Sequence, residues 1–122
     1  MTISFWCVLI AGLIPYLSAG IAKSGGGYDN RNPREWLAKQ TGRRARANSA
    51  QKNSFEAFPL FAAAVLVAAL SHAPQGRVDA YAELFVAARV LYVVAYVFDF
   101  ALARTLLWTI GIGSVISIFC AA

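Results

Sequence analysis

The chain has 122 residues, of which 59% are hydrophobic and 14% are charged. That share of charged residues is too small to cover a soluble domain of this length, so the composition favours a protein with lipid as its solvent. The net charge is +5, but eight of the eleven Lys and Arg residues fall between Lys23 and Lys52, beside apolar segments. Without a known reader motif, this clustering indicates a loop on the positive side of a membrane and no nucleic-acid partner.

The first predicted helix covers residues 2–22, which carry no charge and are long enough to span a bilayer. Pro15 is expected to kink it, and the absence of a positive residue before it argues against a cleaved signal peptide. A basic loop, residues 23–42, follows, and Asn32 and Pro33 inside it predict the start of a short helix. The positive-inside rule makes this loop cytoplasmic and puts both termini outside, in the inner membrane if the protein is bacterial.

Three more spanning helices are predicted, over residues 43–71, 78–102 and 105–122. Pro59 is expected to bend the first of these without ending it, because neighbouring helices can satisfy the freed backbone group. Gly111 and Gly113 favour close packing of the last. The sequence therefore predicts one domain, residues 1–122, that is an all-α integral membrane protein with a four-helix transmembrane bundle.

Polar side chains recur at helical spacing on the second and third predicted helices. They are Arg46, Ser49, Asn53 and Glu56 on the second, and Arg89, Tyr92, Tyr96 and Asp99 on the third. Because the two helices run antiparallel, the residues at equal depth pair in order, from Arg46 with Asp99 at one end to Glu56 with Arg89 at the other. The partners could belong to one protomer or to adjacent ones. Ionisable groups at membrane depth usually face the bundle interior, so these residues predict a polar ladder there.

Two interpretations of the ladder stay open. In the first, the charge pairs fix the register of the helices and do nothing else. In the second, the ladder lines a cleft that is open to the cytoplasm and holds a zwitterionic, hydrogen-bonding ligand. The first interpretation leaves two tyrosines and an asparagine unexplained, which favours the second. Cys7 and Cys120 have no metal or redox spacing, so no metal site is predicted and both are interpreted as small apolar residues.

Two stretches of these helices resemble a known family. Residues 46–59 contain the pattern Asn-x-x-Glu-x-Phe-Pro, and residues 88–92 (Ala-Arg-Val-Leu-Tyr) are followed by Tyr96 and Arg104. This combination is similar to the MAPEG family, the membrane-associated proteins in eicosanoid and glutathione metabolism. The resemblance covers essentially the whole chain and is to bacterial-type members that are similar to microsomal glutathione S-transferase.

The resemblance implies a homotrimer of four-helix bundles that binds glutathione between neighbouring protomers, near the cytoplasmic face. It implies that Asn53 and Glu56 hold the glutathione backbone, with Glu56 on the γ-glutamyl amine. Contacts to its carboxylates and peptide groups would come from Arg46, Arg89, Tyr92 and Tyr96. Arg104 matches the arginine that stabilises the thiolate in family enzymes; it would act electrostatically, since an arginine stays protonated.

The function implied is that of a glutathione-dependent membrane transferase or peroxidase. Its partners would be a second and third copy of the chain, membrane lipids, and a lipophilic electrophile or lipid hydroperoxide. The alternative is a non-catalytic lipid- or partner-binding member of the family. Ser49 stands where mammalian members have an arginine, and Arg104 lies eight residues after Tyr96 instead of seven, which counts against leukotriene synthesis. A small drug transporter is disfavoured, since residues 2–22 contain no carboxylate for proton coupling.

Overall fold

The computed structural model describes residues 1–122 and contains five helices and no strand. The helices are α1 (Ile3–Lys23), α2 (Pro33–Ala38), α3 (Gly42–Leu70), α4 (Gln75–Val97) and α5 (Ala101–Ala121). All but the short α2 are long and apolar enough to cross a membrane. The predicted fold class, an all-α membrane bundle with four spanning helices, is confirmed.

Local sequence explains where the first helices begin and end. Thr2 caps α1, because its Oγ1 accepts a hydrogen bond from the Phe5 N–H at 3.3 Å. After α1 the backbone passes through residues 25–27, three glycines with φ between 76° and 90°. Such φ values cost a glycine little, and they turn the chain out of the bundle. Pro33 then occupies the first turn of α2, where its missing N–H is no loss.

The third spanning helix differs from its predicted bounds. Prediction put it at residues 78–102, whereas α4 begins at Gln75 and ends at Val97. The chain turns at Asp99, whose φ is 63°, and Phe100 donates its N–H to the Ala95 carbonyl at 2.8 Å. Aspartate tolerates this left-handed conformation better than most residues. Apolar residues surround the turn, so hydropathy does not mark it. For the same reason the predicted start of the last helix, residue 105, is four residues later than the observed start of α5 at Ala101.

The spanning helices form a bundle in which α1 packs on α3, α4 packs on α5, and α3 also contacts α4 and α5. We call the end that holds Lys23, Gly42 and Val97 the basic end. Towards the opposite end, Phe61 of α3 stacks on Phe85 of α4 with ring centroids 4.0 Å apart. Many of the other buried residues are alanines, which let helix backbones approach closely.

The end opposite the basic end is tied by polar contacts between α1 and α4. The Ser4 N–H donates to Asp79 Oδ1 at 2.9 Å, and Gln75 Nε2 donates to the same oxygen at 2.7 Å. Gln75 Nε2 also donates to Ser4 Oγ at 3.1 Å. Asp79 therefore joins two helices, and it lies outside the polar ladder.

The outer surface of the bundle is apolar. Leu13 and Leu17 of α1, Leu66 of α3 and Leu106 of α5 are each at least half exposed. In lipid such side chains need no burial, because the acyl chains are as apolar as they are. A polar residue on this surface is therefore the exception that calls for an explanation.

Candidate functional site

A groove formed by α3, α4 and α5 contains two adjoining cavities. The deep cavity has a volume of about 250 Å³, and its polar lining consists of Asn53, Glu56 and Arg89. The basal cavity, nearer the basic end, has a volume of about 160 Å³ and is lined by Tyr92, Arg104, Thr105 and Trp108. Trp108 also lines the deep cavity, so the two are neighbours along one groove.

Arg89 is the most buried charged residue of the groove, with 3% of its surface exposed. Its Nη2 donates to Asn53 Oδ1 at 2.8 Å and to Ser54 Oγ at 3.3 Å. The guanidinium lies 4.1 Å from the centre of the Tyr92 ring. These neutral partners satisfy part of the guanidinium but supply no negative charge, and an isolated buried charge is costly.

Glu56 lines the same cavity but is exposed and has no cationic partner in the chain. The one ion pair within 4.0 Å joins Lys39 to Glu35, on the exposed surface of the loop. The deep cavity therefore presents a free carboxylate and an arginine without a counter-ion. A ligand that carries both an ammonium and a carboxylate is complementary to this pair.

Aromatic rings connect Arg89 to the basal cavity. Tyr92 contacts Tyr96 edge to face with centroids 5.7 Å apart, and the Arg104 guanidinium lies 4.2 Å from the centre of the Tyr96 ring. Arg104 belongs to the first turn of α5, where no side chain caps the free backbone N–H groups. The arginine and the helix N-terminus both give the basal cavity a positive potential, which suits an anion such as a thiolate.

Arg46 is the predicted site residue that the structure leaves outside the groove. Its Nε donates to the Val97 carbonyl at 3.1 Å, at the end of α4, and it lines neither cavity. The other six predicted residues lie along the groove, with Tyr96 joined to it through Arg104. They are Asn53, Glu56, Arg89, Tyr92, Tyr96 and Arg104.

Neither charge pair predicted for the ladder forms within one protomer. Arg46 does not pair with Asp99, because α4 has already ended and Asp99 lies in the turn. Arg89 does not pair with Glu56; it bonds Asn53, about one helical turn nearer the basic end. Counting residues gives the depth of each backbone position, but a long arginine side chain can lean by a turn towards another oxygen.

Sequence reasoning missed two contributors to the groove. Ser54 accepts a hydrogen bond from Arg89, and Trp108 lines both cavities. Gly111, which the sequence marked for close packing, lines the deep cavity, and a Cβ there would lie at ordinary contact distance, 3.7 Å, from Arg89 Cδ. One signal was available: Arg104, Trp108 and Ile112 are spaced four apart, which puts them on one face of α5.

A second cleft lies beside α2 and α3. It has a volume of about 410 Å³, and its lining includes Arg34, Asn48, Gln51 and Lys52. The Gln51 Oε1 is buried and has no hydrogen-bond partner in the chain. A buried amide oxygen without a donor is unusual in a folded protein, so α3 presents unsatisfied polar groups outside the first groove as well.

Comparison with known proteins gives one match. A family model described as the MAPEG family matches residues 3–122, so the match includes the whole groove and the second cleft. Neither a search of curated proteins nor a search of solved structures gave a match.

Proposed function

The chain belongs to the MAPEG family, which suggests a glutathione-related function in a membrane, and from this premise we propose that its groove binds glutathione. The carrying observation is the deep cavity, where the Glu56 carboxylate and the buried Arg89 guanidinium both lack an ionic partner. Glutathione has an ammonium and two carboxylates, so it supplies the missing charge to each. The groove is then a site for a zwitterionic peptide within an otherwise apolar bundle.

In the proposed complex, Glu56 accepts hydrogen bonds from the γ-glutamyl ammonium and Arg89 donates to a carboxylate. Asn53 Oδ1 accepts a hydrogen bond from Arg89 at 2.8 Å, so the amide N–H groups of Asn53 remain free to donate to the glutathione peptide. Tyr92 and Tyr96 contact the peptide groups and lead towards Arg104. Arg46 donates to the Val97 carbonyl, so we assign it to the basic end of the bundle and not to a direct contact with glutathione.

Arg104 would stabilise the thiolate in the basal cavity. A free thiol has a pKa of about 8.5 and is mostly protonated at neutral pH, and a fixed cation lowers that pKa. The thiolate then donates its electron pair to an electrophilic carbon of a lipophilic acceptor, and a C–S bond forms. In a conjugate addition the neighbouring carbon takes a proton from water; in an aryl substitution a halide leaves. With a lipid hydroperoxide, two glutathiones yield the alcohol, water and glutathione disulfide.

The site would be shared between protomers of a homotrimer. Glu56 is exposed on the outer surface of one protomer, at a depth where lipid would otherwise surround its charge. The second cleft, with the unpartnered Gln51 Oε1, presents polar groups that an adjoining protomer or its ligand can satisfy. The mass of the detergent-solubilised protein tests the assembly. A trimer supports the proposal. A monomer that binds glutathione as tightly as the protein in the membrane does would contradict a site shared between protomers.

Calorimetric titration of glutathione into the detergent-solubilised protein tests the ligand. Glu56→Gln should weaken binding about tenfold or more, because a charge-assisted hydrogen bond is lost. Glu83→Gln is the matched control, since Glu83 is an exposed carboxylate of a spanning helix that lines neither cavity. Equal affinities for the two variants, or no binding to the unaltered protein, would contradict the proposal.

The alternative is that the groove holds a lipid or a partner without catalysis. The apolar half of the deep cavity, which includes Leu60, Ile112 and Val115, favours an apolar occupant in either case. The two functions differ at Arg104, since a binder has no use for a thiolate. Turnover of glutathione with an electrophile supports the enzyme, and binding without thiolate formation supports the alternative.

The proposed orientation puts the basic loop in the cytoplasm and both termini outside, in the inner membrane if the protein is bacterial. Cys120 is exposed near the end opposite the basic end, whereas Cys7 is buried. A membrane-impermeant maleimide applied to intact cells, with the outer membrane permeabilised, should therefore label the chain through Cys120. Labelling only after the inner membrane is broken would contradict this orientation and place the termini in the cytoplasm.

A further inference from the structure

Trp108 lies at the junction of the two cavities and is the only residue that lines both. Its side chain is 46% exposed, on a helix that would face lipid. Trp6 of α1 is similarly exposed, at 50%, but lines neither cavity. Trp108 is therefore in contact with the groove and accessible from the membrane, whereas Trp6 shares only the second property.

The spacing along α5 places Trp108 in line with Arg104. Four residues of helix rise about 6 Å, so Trp108 lies one turn deeper in the membrane than Arg104 and on the same face. Ile112, which also lines the deep cavity, continues this face by another turn. A molecule whose reacting atom lies beside Arg104 and whose body extends into the membrane must run past the indole of Trp108.

We infer that Trp108 determines the specificity for the lipophilic acceptor; the inference rests on the proposed glutathione function and extends it to the second substrate. The indole gives a flat aromatic acceptor a face on which to stack, and it narrows the passage from the basal to the deep cavity. Beyond it, the apolar half of the deep cavity, which includes Leu60, Phe85 and Val115, accommodates a compact apolar body beside the glutathione that Glu56 and Arg89 hold. The acceptors selected are thus compact planar aromatic electrophiles, in preference to extended aliphatic ones.

Steady-state kinetics with two acceptors tests this selection. With 1-chloro-2,4-dinitrobenzene the thiolate attacks the ring carbon that bears chlorine and chloride leaves; with trans-2-nonenal it adds to the β-carbon and the α-carbon takes a proton from water. Trp108→Ala should raise KM for the aromatic acceptor about three- to tenfold, because that is the loss of affinity expected when one aromatic stacking contact is removed. KM for nonenal should stay the same or fall, because an aliphatic chain gains nothing from the aromatic face.

Trp108→Phe should restore most of the affinity for the aromatic acceptor, since it keeps a ring at the same place. Trp6→Ala is the matched control and should alter neither KM. Equal changes in KM for both acceptors in Trp108→Ala, or no change for either, would overturn the inference, because a merely structural tryptophan does not distinguish them.

Fluorescence provides a test without turnover. A protein with Trp6→Phe and Trp36→Phe keeps Trp108 as its one tryptophan, and a second variant with Trp36→Phe and Trp108→Phe keeps only Trp6. The unreactive quencher 1,3-dinitrobenzene should quench the Trp108 protein with saturation and the Trp6 protein without it. Identical, non-saturating quenching in both would overturn the acceptor site. Absence of glutathione binding would instead overturn the proposed function and leave saturable quenching as a separate result.

Discussion

The hydrogen bond between Asn53 and Arg89 provides the most quantitative test of the groove. Arg89 is 3% exposed and keeps two contacts from Nη2, at 2.8 Å to Asn53 and at 3.3 Å to Ser54. A hydrogen bond to a charged group contributes about 1.5–3 kcal/mol, and pairs within membrane bundles reach about 1.7 kcal/mol at most. Asn53→Leu, which keeps the branched shape of the side chain but removes the acceptor, should therefore lower the free energy of unfolding by about 1–2 kcal/mol.

A double-mutant cycle separates this bond from other effects of the substitution. In an Arg89→Met background no buried cation needs an acceptor, so Asn53→Leu should cost close to nothing, and the coupling energy should be about 1–2 kcal/mol. The free energy is measured by denaturing-detergent titration without glutathione. Asn48→Leu is the control, since Asn48 is a buried amide of α3 that makes no hydrogen bond with Arg89. Additive costs for Asn53 and Arg89, with coupling below about 0.5 kcal/mol, would refute the reasoning.

Three further predictions concern the same groove. Gly111→Leu should fill the deep cavity and weaken glutathione binding, measured by calorimetry, about tenfold or more. Gly113→Leu is the control and should leave the affinity unchanged, because a Cβ there meets nothing within 4 Å. An equal loss of affinity in both variants would show that the cavity is not the site. Arg104→Lys should keep part of the thiolate absorbance of bound glutathione, because the charge remains while the planar contact with the aromatic ring is lost; full loss would assign the effect to geometry instead of charge. Arg46→Ala should lower the free energy of unfolding by about 0.5–1.5 kcal/mol, because the hydrogen bond to the Val97 carbonyl is lost. It should change the affinity for glutathione by less than about threefold. A larger loss of affinity would show that Arg46 contacts glutathione directly.

The spanning helices could be predicted because their signal is local. Each needs an apolar run of bilayer length, and the sequence shows four such runs separated by turn residues and charges. The exception is the end of α4, where Asp99 turns the chain between two phenylalanines. No break in hydropathy marks that turn, since the residues on both sides of Asp99 are apolar.

The groove could be predicted only as a set of residues. Helical spacing put Asn53, Glu56, Arg89 and Tyr92 on facing stripes, and the structure brings these side chains to one groove. Spacing did not reveal the partners, because a long guanidinium chooses among acceptors within a turn of its own depth. The role of Trp108 was also hidden, since a tryptophan in an apolar span is usual and its contact with two cavities depends on how α5 packs.

The central claim is that the groove binds glutathione and holds its sulfur as a thiolate beside Arg104. Its most direct test is a titration of glutathione into the detergent-solubilised protein at neutral pH, followed by the ultraviolet absorbance of the thiolate, with S-methylglutathione as the blank. Saturable thiolate absorbance is predicted, lost in Arg104→Ala while weaker binding persists in calorimetry. No binding, or bound glutathione whose thiol stays protonated, would contradict the account.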